Sequence, residues 1–437
     1  MRALMLAIVV VGSAACLPSG ATESASPAPS NTVNPSSPHV STPLATPSLT
    51  ARPQPTVSIL PPLARGALPE AGVVVVRDGF GSLYRYDGAT GRVEPVISFT
   101  GWTFARQTAS GLYAIGLQGG VVFVPWSGAP QIVTCGGVAL AISATGACAS
   151  RRYGPDGGLY VQYPGAAPLR ILPPDWGAGQ IAWDPSSRRL ALTRTVDQRC
   201  VRCPNALYVI TPDGSPRLLY DTHVDETHFG PLGAVARVLW SPAGDLIAAS
   251  LSTGCAGCDS SAGNGLLVID PASDRAIPLG VTPEMAPDIA WSANGDLAFV
   301  SGTLERLADS ELKLRRRDGS ITTIDPRGSR PAWSAAGDRL AWVRGDGSAA
   351  VVDLAGGDRR PIRCADGDVA GIRFDSSGEA LLLLCRLPGS DLDRYSIRYV
   401  ASGRDTVVLE QVGGTLAYAI GPDFFDLAAW SQGPGRE

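Results

Sequence analysis

The sequence predicts an all-β fold closed into a propeller, and three observations predict it. A hairpin with a distinctive turn recurs at intervals of roughly 40 to 50 residues, the spacing of propeller blades. A second kind of hairpin lies between successive copies. Finally, 51 Gly and 36 Pro in 437 residues interrupt any pattern that could run as a long helix.

The first hairpin is best seen by quotation. Residues 181–192 read IAWDPSSRRLAL, 238–249 VLWSPAGDLIAA, 289–300 IAWSANGDLAFV, 331–343 PAWSAAGDRLAWV and 372–383 IRFDSSGEALLL. Weaker copies surround Phe104, Ile142 and Ile420. With the aromatic or its equivalent as marker (104, 142, 183, 240, 291, 333, 374, 420), the steps are 38, 41, 57, 51, 42, 41 and 46 residues. Turn chemistry explains the spelling: Ser or Asp at the first position accepts a local backbone hydrogen bond, Pro at the second presets φ, and Gly at the fourth closes the turn. Trp183, Trp240, Trp291 and Trp333 supply large flat surfaces to fill the wedge between neighbouring sheets.

The second hairpin spans 83–97, 120–133, 158–172, 206–220, 265–279, 312–325, 349–363 and 395–410. Two hairpins per period make a four-stranded blade. The count predicts eight blades, with seven as the alternative because the copies at Phe104 and Ile142 are degenerate. The chain begins with the second kind of hairpin, after a strand at 73–76, and ends with the first kind near 420–430. The last blade is therefore expected to draw on both termini, closing the ring and removing a free sheet edge. The propeller domain is expected over 67–432.

The WSPAGD signature at 240–245 and its relatives resemble the TolB-like and WD-repeat propellers, especially the blades of TolB and of prolyl-oligopeptidase-type proteins. The resemblance covers about 360 residues and is specific over the five blades of 183–385. It implies a rigid platform for protein partners, with ligands on the loop faces or at the central channel. It implies no activity.

Ahead of the repeats, Arg2 precedes an apolar run from Ala3 to Val11, then Gly12, Ser13, Ala14, Ala15 and Cys16. A charged start, a short hydrophobic segment and small residues before a cleavage point make an export signal over 1–16. The run is far below the ~20 apolar residues of a membrane-spanning helix. Small residues ending in a cysteine resemble the lipobox of bacterial lipoproteins, which implies acylation of Cys16, although Ser13 stands where that family usually has Leu. Residues 17–66 are dominated by Pro, Ser, Thr and Ala, too polar to bury a core, and are expected to form a disordered tether. The expected location is outside the cytoplasm, at a cell membrane or outer membrane. Attachment to the membrane is through the lipid alone.

Removing Cys16 leaves eight cysteines, an even set suited to an oxidising compartment. Cys200 with Cys203, and Cys255 with Cys258, form two CxxC pairs that the repeat places on equivalent loops of adjacent blades. Disulfides are the leading reading; a four-thiolate zinc site is the alternative, and a redox-active CxxC lacks the helix N-terminus that lowers thiol pKa. The connection 220–237 brings His223 and His228 to the same face, as solvated loop residues before metal ligands. Cys364 ends one blade and Cys385 ends the second strand of the next, so a bridge between them is geometrically plausible. Cys135 and Cys148 occupy roughly analogous positions.

Charge and motifs narrow the function. The net charge of −4 leaves no broad basic surface for nucleic acid. A single lysine, Lys313, and three histidines (His39, His223, His228) remove most Lys- or His-dependent mechanisms. No Gly-x-Ser-x-Gly, His-Glu-x-x-His or phosphate loop occurs. Ser310-Glu311-Leu312-Lys313 matches Ser-x-x-Lys by chance, beside an expected strand. Arg315, Arg316 and Arg317 read as a solvated edge. No catalytic residue and no cofactor are expected. The expected role is a monomeric, envelope-anchored scaffold or recognition module for unidentified envelope proteins. A metal- or small-ligand-sensing propeller is the alternative, and a hydrolase stands behind both.

Overall fold

The structure, a computed structural model, describes Leu63–Ala64, Gly72–Arg77, most of the chain from Ser82 to Val412, and Ala428–Gln432. Between Ser82 and Val412 the longer spans outside that description are 196–204, 223–234, 253–263, 283–288 and 388–393. All described residues belong to the second of two units, Met1–Val57 and Ser58–Glu437.

Four consecutive strands run as an antiparallel meander at 102–133, 138–172, 178–221 and 328–362. A further sheet of eight strands contains two such meanders, 235–282 and 289–325, joined where Val281 pairs with Gly302. The meander at 368–412 gains a fifth, two-residue strand, Leu63–Ala64, which pairs with Glu410 and Leu409. Those two residues lie inside the span that composition assigned to the tether. The fold is thus an all-β propeller with four-stranded blades, distributed over seven hydrogen-bonded sheets.

The closing sheet joins distant parts of the chain. Ala428–Gln432 pairs with Gly72–Arg77, in register from Gly72 with Gln432 to Val76 with Ala428, and Leu83–Asp87 and Arg92–Ile97 complete the sheet. Among the described residues the C-terminal contribution is one inner strand, where the sequence pattern suggested a hairpin; the copy around Ile420 lies outside them.

Why these strands are apolar on both faces follows from where alternate side chains go. In the second strand of the Trp240 blade, Ile247, Ala249 and Leu251 pack toward the Trp183 blade, whereas Ala248 packs toward the Trp291 blade. The strand Arg339–Arg344 repeats the device: Leu340 and Trp342 face one neighbour, Ala341 and Val343 the other. Each of the eight buried clusters among the described residues straddles one seam between successive meanders. The cluster of Tyr86 with Leu382, Ile397 and Tyr399 ties the last meander to the closing sheet. Burial is therefore a property of seams, and a blade alone would leave both faces wet.

Candidate functional site

The first strand of each blade stands at the inner edge, and the backbone bonds of the following turn set its register. Asp184 N–H donates to the Arg189 carbonyl, and the turns starting at Ser241, Ser334 and Asp375 close in the same way, while Ser292 N–H donates one residue sooner, to Asp296 O. In the degenerate copy near Phe104 the corresponding turn is tighter: Thr108 N–H donates to Gly111 O at 2.8 Å. The marker position is therefore Gln107, three residues beyond Phe104, and Arg106 takes the place held elsewhere by Ala141, Ala182, Leu239, Ala290 and Ala332. A bulge between Phe104 and Arg106 shifts the register there, as bulges do in the inner strands of most blades.

Each marker tryptophan from Trp240 onward reaches back one blade. The indole N–H of Trp240 donates to Ala182 O at 3.1 Å, that of Trp291 to Leu239 O at 3.3 Å, and that of Trp333 to Ala290 O at 2.9 Å. The acceptor is always the residue before the neighbouring marker. Trp183 breaks the series. It is 6% exposed, yet its indole N–H has no partner among the described residues, and the neighbouring marker is Ile142.

A cavity of about 550 Å³ lies against four successive blades, those of 102–133, 138–172, 178–221 and 235–282. Arg106, Ile115, Ile142 and Ile181 bound it together with Trp183 and Trp240. Pro185 and Pro242, second residues of two turns, also line it. The two degenerate copies carry Gln107 and Ile142 at the marker position, so no marker ring stands there. No acid lines the cavity among the described residues.

Around it the turns are cross-linked. Arg189 lies over the Trp240 ring at 4.8 Å, bonds Asp184 through Nε at 3.0 Å, and donates from Nη2 to Gly244 O at 2.6 Å. Burial alone would raise the Asp184 pKa. The Ser186 hydroxyl, the amides of Arg189 and Arg188, and the Arg189 guanidinium hold it below its ordinary value instead. Farther round, Asn294 donates to Gly337 O and Arg339 to Gly378 O.

The Arg315 to Arg317 run is a solvated edge only in part: Arg317 is exposed and Arg316 partly so. Arg315 is buried, Arg316 pairs with Asp296 at 3.0 Å, and Arg317 reaches Asp245 in the preceding blade at 3.1 Å. The run ends one strand and enters a turn, so its side chains diverge toward different acids. Lys313 sits within the strand Arg306–Arg315, 3.5 Å from Glu311.

Cys135 and Cys148 lie at disulfide distance, Cα–Cα 5.5 Å, and Cys364 and Cys385 likewise at 5.9 Å. Each pair ties the segment entering a blade to that blade's second strand. Cys16, Cys200, Cys203, Cys255, Cys258, His223 and His228 lie outside the described residues. Among the described residues no three His, Cys, Asp or Glu side chains converge on a metal-sized space.

No protein-family model matches the chain. No curated protein matches it in sequence either. Solved structures do match. A eukaryotic initiation factor superposes with a TM-score of 0.50 at 12% identity, over 84% of this chain and all of that one. A prolyl endopeptidase gives 0.47 at 12% identity, over 71% of this chain and half of that one, so this chain spans about half its length. TolB from Acinetobacter baumannii gives 0.35 at 14% identity over 82% of each chain. At such identities the likeness concerns fold alone.

Proposed function

We propose that this chain is an exported β-propeller of eight blades that acts by binding, as a scaffold or recognition module for other envelope proteins. Lipid on Cys16 and the tether 17–66 would hold it at a membrane. The observation that carries the reading is the closed ring: a shared sheet joins residues 72–97 to 428–432, and a buried cluster fills each described seam. Such a ring is stiff, so loops on its faces are held at fixed spacing for a partner. The blade count treats the eight-stranded sheet as two blades, because a single residue pair links its halves. Cysteine pairs at disulfide distance support a location outside the cytoplasm. The described lining of the cavity offers no Ser, Cys, His or carboxylate, hence no nucleophile and base for hydrolysis there.

Cross-linked pull-down from membranes of cells producing the full chain tests this, alongside palmitate labelling of the chain and of Cys16→Ala. Recovery of a discrete envelope protein, with label lost in the variant, is the expected result. Equal label in both chains overturns the anchor. No cross-linked protein above background overturns the scaffold.

A further inference from the structure

The cavity combines two departures from the repeat, and together they specify a ligand. At the position two before the turn, five blades carry Ala or Leu, while Arg106, which lines the cavity, brings a guanidinium. The other arginine in this register, Arg373, has interaction partners; Arg106 has neither ion pair nor hydrogen bond among the described residues. It is exposed on one side, and partial burial lowers its pKa. A cation so placed gains from an anionic partner.

The walls state what the rest of that partner is. Ile115, Leu140, Ile142 and Ile181 with Trp183 and Trp240 suit an aliphatic or aromatic body. The volume of about 550 Å³ falls within the roughly 300 to 1,000 Å³ of small-molecule pockets. A phosphate dianion would bring a second negative charge that no other cation in the lining meets. A carboxylate carries one charge and matches the guanidinium fork with two parallel hydrogen bonds.

We propose that this cavity binds organic monocarboxylates with an apolar body, Arg106 holding the carboxylate and the two indoles flanking the body. The site lies inside the ring and does not rest on membrane anchorage or on a protein partner of the loops; its failure leaves that reading untouched.

Titration calorimetry and tryptophan fluorescence of the full chain test it with matched probes: hexanoate and hexanol, 3-phenylpropionate and 3-phenylpropanol, and a Phe-terminated tripeptide as free acid and as amide. At least one acid is expected to bind about tenfold or more tighter than its neutral counterpart. Arg106→Gln, at an exposed position, is expected to keep the melting temperature and remove that preference. Ile142→Trp adds a ring to the lining and is expected to abolish binding of acid and neutral probe alike. A tighter tripeptide acid identifies a polypeptide C-terminus as the source, and a tighter small acid identifies a metabolite; either supports the proposal. Equal binding within a pair, no binding of any acid at millimolar concentration, or a preference retained in Arg106→Gln overturns it.

Discussion

The indole N–H of Trp240 donates to the carbonyl of Ala182 across a blade seam at 3.1 Å, whereas the equivalent indole of Trp183 is buried with no acceptor among the described residues. Replacing each by Phe therefore separates hydrogen bonding from packing. Both variants lose a similar ring area. Only Trp240→Phe also breaks a bond and strands a carbonyl, so its stability should fall by about 1 kcal/mol more than that of Trp183→Phe. Urea unfolding of the two variants measures the difference. Equal losses would show that the indole bonds contribute nothing beyond packing.

The two cysteine pairs close loops of 13 and 21 residues. Chain-entropy arguments assign each bridge about 3 kcal/mol. Replacing Cys364 and Cys385 together by Ser should lower stability by about that amount, as should Cys135 and Cys148, and the effects should add because the sites share no residues. Thiol counting before and after reduction, with denaturant unfolding, checks both statements. Free thiols at these four positions in the native protein would overturn them.

Much of the ring was legible in the spelling of its turns, because Ser or Asp, Pro and Gly have fixed jobs and Trp183, Trp240, Trp291 and Trp333 mark each inner strand. Residues such as Ile247 to Leu251 read as an apolar run for a physical reason: both faces meet another blade. The cavity was not legible, since four blades far apart in sequence supply its lining. Taking Phe104 as the marker hid Arg106, and only the short turn from Thr108 to Gly111 sets the register right. The pairing of Arg316 with Asp296, and of Arg317 with Asp245, depends on turns brought together by the fold, which local charge patterning does not encode.

Asp184 gives the pH dependence a direction. Its pKa is lowered on folding, so its contribution is fully present above the unfolded value near ~3.9 and is lost as pH falls toward the folded one. Asp318, Asp338 and Asp346, held by neighbouring Ser residues, shift the same way at the surface. Stability should therefore drop below about pH 4 and stay flat from there to neutrality as far as these groups are concerned. Asp184→Asn should cost about 1 to 2 kcal/mol at pH 7, since two backbone amides and Arg189 lose a charged acceptor, and should flatten the acid limb. Chemical unfolding at several pH values is the measurement. An acid limb unchanged in the variant would remove Asp184 from the account.

Closure of the ring rests on Ala428–Gln432 pairing with Gly72–Arg77. Truncation after residue 427 deletes that inner strand and opens the sheet edge along Gly72–Arg77, leaving its amides and carbonyls unpaired. The loss should spread beyond the closing sheet, because Tyr86 shares a buried cluster with Leu382, Ile397 and Tyr399. A melting temperature lowered by more than about 5 °C, or a chain recovered only as aggregate, is expected. Truncation of residues 1–57, which belong to a separate unit, should leave the melting temperature within about a degree. Substituting Pro for Val74, paired with Trp430, should reproduce the C-terminal defect at full chain length, since proline removes a backbone donor inside the sheet. Unchanged melting in both the truncated chain and Val74→Pro would mean that the ring does not close through this strand.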